Sequence, residues 1–226
     1  RVCSRFRVSC DQKGMPPDID SDIICFKHCK SNIFTFSVPN NCPKCNQPLT
    51  EAENLCPFAL PPIFVNATQT PCAVILRPST GDFWSDFHNT TNLHIALTDA
   101  DGSIVEFDQP GLTRTVARRV DRSRWGQCLL ILQVPESWQY EWEQQLHHVV
   151  EDRGWRQRKY DEDRLNCFSF VLEFLRFLRY GDYWKYADSR ERFSTEFIVP
   201  KTRTVAKYIT IFRRIREHGY WAELDQ

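Results

Sequence analysis

The run Asn166-Cys167-Phe168-Ser169-Phe170-Val171-Leu172-Glu173-Phe174-Leu175-Arg176-Phe177-Leu178 decides how the rest of the chain must fold. Asn is a favoured N-cap, and the residues behind it are apolar nearly all round. The predicted helix is therefore buried on most sides and central to its domain. Gly181 supplies a natural stop. Cys167 opens this helix, where unpaired backbone N–H groups and the positive end of the macrodipole favour thiolate over thiol. A cysteine in an apolar run more commonly fills a core. Reading Cys167 as a nucleophile therefore depends on what the remaining sequence can bring to it.

Upstream, Leu93-His94-Ile95-Ala96-Leu97-Thr98 and Ser103-Ile104-Val105-Glu106-Phe107-Asp108 flank Asp99-Ala100-Asp101-Gly102, whose Asp and Gly suit a turn. The pattern predicts a β-hairpin. Alternation puts His94 and Ala96 on one face, and Ile104, Glu106 and Asp108 on one face of the return strand. Cys72 to Leu76, ended by Pro78, and Cys128 to Val134, closed by Pro135, read as further buried strands. Trp138, Trp142, Leu146, Val149 and Val150 recur at helical spacing. In the tail, one predicted helix runs from Arg190 to Phe197 and ends before Pro200. A second runs from Arg203 to Glu217 and is closed by Gly219.

A different chemistry precedes this region. Cys42-Pro43-Lys44-Cys45 is a zinc knuckle pattern, a turn that aims two thiolates at one ion. Cys25, His28 and Cys29 lie upstream across the apolar stretch Ile33 to Val38, which is the layout of a zinc ribbon. Two of those three residues, with Cys42 and Cys45, complete a tetrahedral site with no open position, so the expected zinc is structural. The competing reading is a disulfide or free-thiol cluster. These features divide the chain into an irregular lead-in (1–22), a zinc-ribbon-like module (23–56), a proline-rich boundary, and a larger α+β domain with C-terminal helices (72–226).

Composition narrows the partners. Twenty-nine basic residues balance twenty-nine acidic ones, and the pI is near 7.1, so no global field attracts nucleic acid or anionic lipid. The clusters Arg118-Arg119-Arg122-Arg124 and Arg213-Arg214-Arg216 read as solvated faces. No apolar run approaches the roughly 20 residues of a membrane span. The ten cysteines and the sequons at Asn66 and Asn89 admit a secreted, disulfide-linked protein. The metal-ligand spacing argues instead for a reducing compartment, the cytoplasm or nucleus.

A strand histidine, a hairpin, further strands and then Asn166-Cys167-Phe168-Ser169-Phe170 at the head of a buried helix resemble the circularly permuted papain-like superfamily. That superfamily includes the PPPDE isopeptidases and the lecithin–retinol acyltransferase-like proteins. A longer likeness covers Phe34 to Pro39 with Cys42 to Cys45, the Leu93 to Ala96 strand, Asn166 to Ser169, and Val199 to Arg203 with Arg216 to Gly219. It resembles the makorin-2 opposite-strand protein family, which has no established activity. The resemblance implies a permuted papain-like domain behind a zinc ribbon, with Cys167 as nucleophile and His94 as base. Glu106 or Asp108 would orient the imidazole. The expected reaction is hydrolysis of an amide or isopeptide bond in a protein substrate. The alternative is an inactive scaffold that holds a protein partner. Acyl transfer fits less well, because no second histidine follows His94 on the return strand.

Overall fold

The computed structural model describes residues 22–49, 55–88 and 90–224. Most of the expected lead-in, with Cys3 and Cys10, lies outside these residues, as does Asn89. The chain divides into two compact units: Arg1–Leu60 together with Ile211–Gln226, and Pro61–Thr210.

In the first unit, β1 (Ile24–His28) and β2 (Ser31–Thr35) form an antiparallel hairpin, and β3 (Phe58–Ala59) pairs with the outer edge of β1. The hairpin turn is Cys29-Lys30, with φ of 42° and 57°. Positive φ at both central residues is the turn that matches strand twist, and it normally takes Asn or Gly. Here it carries a cysteine and a lysine, at a cost in backbone strain. Phe26, Ile33 and Cys42 form the buried core of this unit.

The second unit is built on a five-stranded antiparallel sheet of β4 (Ala73–Pro78), β5 (Leu93–Thr98), β6 (Ile104–Asp108), β7 (Gly111–Thr115) and β8 (Leu129–Gln133). Their order is β7-β6-β5-β4-β8. The expected β5–β6 hairpin forms, and Asp99 locks its turn by accepting the N–H groups of Asp101 and Ser103 at 2.9 and 2.8 Å. Gly102 is required there. Its φ is +74°, and a Cβ would lie 2.3 Å from the Thr68 carbonyl oxygen. Strand β7 was not expected from the sequence. Its Leu112, Thr113 and Arg114 show no apolar alternation, and it is an edge strand, which needs little burial.

The short α1 (Arg122–Trp125) sets Trp125 on one sheet face, with Ala73, Ile75, Ala96, Ile104 and Cys128. The other face meets α2 (Gln139–His147) and α3 (Cys167–Leu178) through aromatic rings packed edge to face. Phe107 lies 4.9 Å from Trp155, Trp155 lies 5.2 Å from Phe170, and Trp142 lies 4.6 Å from Phe174. Nine of the twelve α3 residues are buried, as an all-round apolar helix demands. The helix stops earlier than Gly181. Arg179 takes the left-handed conformation at φ 52°, and its N–H closes on the Leu175 carbonyl at 3.1 Å.

Next come α4 (Tyr183–Tyr186), α5 (Arg190–Phe193) and a π-helical turn over Ser194–Ile198 that leads directly into α6 (Val199–His218). Pro200 therefore does not separate two helices. It sits in the first turn of α6, where a missing N–H costs nothing within the helix itself. Helix α6 begins in the second unit and ends in the first, where β9 (Trp221–Leu224) pairs with β2 to give the sheet order β3-β1-β2-β9. The expectation of one domain from 72 to 226 is corrected here. Residues from Ile211 onward belong with the N-terminal unit, because strand pairing is non-local and β9 completes a sheet begun far upstream.

Candidate functional site

Helix α3 starts with a complete capping box. The Asn166 Oδ1 accepts the N–H groups of Phe168 and Ser169 at 3.0 and 3.3 Å, and Ser169 Oγ accepts the Asn166 N–H at 3.3 Å. The Asn166 Nδ2 donates to the Glu162 carbonyl at 2.7 Å, tying the cap to the preceding loop. Cys167 is thereby fixed as the first helical residue, its sulfur within reach of the backbone N–H groups of Phe168 and Ile95. The Ile95 N–H comes from β5, beside His94.

His94 is buried in β5, and its imidazole is held from two sides. The Nε2 lies 2.8 Å from Glu106 Oε2, and the ring is close enough to Cys167 for the two groups to shift each other's ionisation. Leu97 and Val105 are partners in the β5–β6 register, so His94 and Glu106 sit diagonally on one face, a span that a glutamate side chain covers. Arg77 is the direct partner of His94 across β4, and its guanidinium lies 4.6 Å from the centre of the Trp125 ring. Trp125 also packs edge-on to His94, with ring centroids 6.0 Å apart.

The electrostatics follow from these contacts. Burial opposes the charged form of His94, but the hydrogen bonds and charges of Cys167 and Glu106 prevail and raise its pKa to about 9. Burial likewise opposes ionisation of Cys167. The His94 hydrogen bond and charge, aided by the Ile95 and Phe168 N–H groups, outweigh it and bring the thiol below its ordinary value. Both directions favour a thiolate–imidazolium pair over neutral thiol and imidazole. Cys72 and Cys128, buried without such partners, are both pushed up to about 12. Cys167 is thus set apart from the cysteines that only fill space.

Cys167 and His94 open onto a cleft of about 220 Å³ with mainly polar walls, to which Asp108, Tyr160, Glu162 and Arg190 also contribute. The structure brings Cys167, His94 and Glu106 together, with the Asp108 carboxylate close by and differently engaged. Glu106 takes the imidazole, whereas Asp108 accepts the Gln109 N–H at 2.8 Å and faces the cleft. A ring nitrogen of His94 and carboxylate oxygens of Glu106 and Asp108 lie within 4.8 Å of one another. Tyr160 and Arg190 were missed. They reach the cleft from a coil and a short helix, and neither sits in a local pattern that marks it.

A second cluster lies in the first unit. His28, Cys29, Cys42 and Cys45 each place a ligand atom within 4.8 Å of the others, a set that can hold a metal ion. Cys29 Sγ is 3.9 Å from Cys42 Sγ, and Cys45 Sγ is 3.4 Å from His28 Nδ1. Asn46, at φ 59°, returns the Cys42–Cys45 turn, closed by its N–H on the Cys42 carbonyl at 2.8 Å. Cys25 is not part of the cluster. Alternation along β1 sends it to the face opposite Phe26 and His28, where burial raises its pKa. The described cysteines are all free thiols. Among the described residues, no helix is long and apolar enough to cross a membrane.

Comparison with known proteins agrees with this two-part organisation. The DUF4796 N-terminal family model matches residues 21–49, and the DUF4796 C-terminal model matches residues 57–215. The MKRN2 opposite strand protein of Homo sapiens is 30% identical over 203 residues, covering 88% of each chain. No solved structure gives a significant match. The chain therefore belongs to the DUF4796 family.

Proposed function

We propose that this protein is a cysteine hydrolase of the permuted papain-like type, acting on an amide or isopeptide bond of a protein substrate. The observation that carries this reading is the buried Cys167–His94–Glu106 arrangement at the head of α3, open to a polar cleft. The fold assignment is supported by the arrangement of a histidine strand in an antiparallel sheet packed on a central helix that begins with the cysteine.

In this mechanism the Cys167 thiolate attacks the substrate carbonyl carbon. A sulfur–carbon bond forms and the carbonyl π pair moves to oxygen. The imidazolium of His94 protonates the leaving amine as the carbon–nitrogen bond breaks. Neutral His94 then takes a proton from water, whose oxygen displaces sulfur and releases the acid. Glu106 holds the imidazole in one orientation and favours its charged form. The Cys167 N–H, a first-turn donor with no intrahelical acceptor, faces the developing oxyanion.

The metal cluster is assigned to structural zinc. A tetrahedral zinc, with bonds of about 2.3 Å to sulfur and about 2.0–2.1 Å to nitrogen, sets sulfurs about 3.8 Å apart and sulfur about 3.6 Å from nitrogen. The separations of 3.9 and 3.4 Å fit that geometry. Bound there, zinc would cross-link the β1–β2 turn to the Cys42–Cys45 turn, and three thiolates with one imidazole would leave no position for substrate.

The test is labelling with an activity-based electrophile. Wild type is expected to be modified at Cys167 at neutral pH, and neither Cys167→Ala nor His94→Ala to be labelled there. An unlabelled wild type would overturn the hydrolase and leave a protein-interaction module on this scaffold.

A further inference from the structure

Building on the hydrolase reading, we propose that Tyr160 is a catalytic residue whose hydroxyl supplies the second hydrogen bond to the oxyanion, opposite the Cys167 N–H. The attack of a thiolate on a carbonyl needs donors aimed at where the charge develops, and one backbone N–H is rarely the whole complement. Several of the polar groups beside Cys167 are committed or cannot donate, while the Ser79, Asn92 and Gln109 side chains share the cleft with Tyr160. Asn166 uses its Oδ1 on the α3 cap and one Nδ2 hydrogen on the Glu162 carbonyl. Asp108 and Glu162 are carboxylates, which cannot donate, and the Arg190 guanidinium lies 4.3 Å over the Phe168 ring.

Tyr160 has the attributes required. It lines the same cleft as Cys167 and His94, and its hydroxyl has no hydrogen-bond partner among the described residues. Its ring packs 5.6 Å from Phe107, which continues through Trp155 to Phe170 on α3. The phenol is therefore fixed to the aromatic stack that also fixes the helix carrying the nucleophile. Burial, reinforced by the nearby charges of Cys167, Asp108 and Glu162, raises its pKa, so the group stays protonated and able to donate.

Two probes separate this role from a structural one. Iodoacetamide alkylates Cys167 by displacing iodide and forms no oxyanion. The peptide aldehyde acetyl-glycyl-glycinal forms a hemithioacetal: sulfur bonds to carbon, the carbonyl pair moves to oxygen, and His94 supplies the proton. The full chain is assayed by the protection that the aldehyde gives against iodoacetamide. In Tyr160→Phe, the aldehyde inhibition constant should rise on the order of 10²-fold, with the alkylation rate kept within about twofold. Thermal melting checks that the variant is folded. An unchanged inhibition constant overturns the role of Tyr160, as does a parallel loss of both reactions, which would mark a structural residue. A wild-type Cys167 that iodoacetamide modifies no faster than Cys56 overturns the hydrolase reading itself, and the role of Tyr160 with it.

Discussion

The Nε2 atom of His94 lies 2.8 Å from the Oε2 atom of Glu106, with both side chains buried in neighbouring strands of one sheet. The contact places a carboxylate where it favours imidazolium. Glu106→Gln keeps the shape and loses the charge. The His94 pKa should fall toward that of free imidazole, and alkylation of Cys167 at neutral pH should slow about tenfold, since one pKa unit is worth about 1.4 kcal/mol. Stopped alkylation with mass-spectrometric readout at Cys167 checks this. An unchanged rate would show that the carboxylate does not act on the pair.

The pH profile carries a definite sign. The Cys167 thiol is lowered and His94 is raised to about 9, so the ion pair persists as pH falls below the ordinary thiol range. An unperturbed thiol loses reactivity on the order of tenfold per pH unit below its pKa. Wild-type Cys167 should keep its reactivity to lower pH than an unperturbed thiol before declining. In His94→Ala only the Ile95 and Phe168 N–H groups still offset the burial of the sulfur, and the acid limb should move to higher pH than in wild type. Iodoacetamide rate against pH, measured on both proteins, distinguishes the two curves.

The Asn166 cap makes a prediction about stability. Its Oδ1 serves two first-turn N–H groups, and its Nδ2 holds the Glu162 carbonyl. Asn166→Ala should cost about 1 kcal/mol, within a range of about 0.5–2, with an unchanged denaturant slope. Asn166→Asp retains the acceptor and should lose less. Urea titration reports both, and a neutral Asn166→Ala would mean that the helix start is held by packing alone.

The metal cluster predicts a pattern among cysteines. Purified protein should hold one equivalent of zinc. Cys42→Ala and Cys45→Ala should each lose it, whereas Cys25→Ala, altered on the opposite strand face, should keep it. Chelation should raise hydrogen exchange in β1 and β2, because the two turns that carry the ligands are then no longer cross-linked. Metal analysis that finds less than about a tenth of an equivalent in wild type would reject the site.

The sequence by itself determined the features that depend on neighbouring residues. An Asn before an all-round apolar run specifies a capped and buried helix, so α3 and the position of Cys167 were legible. The Asp99 to Gly102 turn specifies the β5–β6 hairpin, because few residues adopt its dihedrals. Cys-Pro-Lys-Cys specifies a ligand turn for the same local reason. Only the tertiary structure decided the rest. The choice of Cys29 over Cys25 follows from which face of β1 meets the Cys42–Cys45 turn. The choice of Glu106 over Asp108 follows from the diagonal reach across the β5–β6 pair. Tyr160 gains its place only once Phe107, Trp155 and Phe170 have stacked, and β9 is a strand only because the β2 edge is available to pair with it. Dihedral preference and amphipathic period act over a few residues and can be read along the chain. Registry and packing act between segments far apart in sequence, and at this site they decide which polar groups come to face the sulfur.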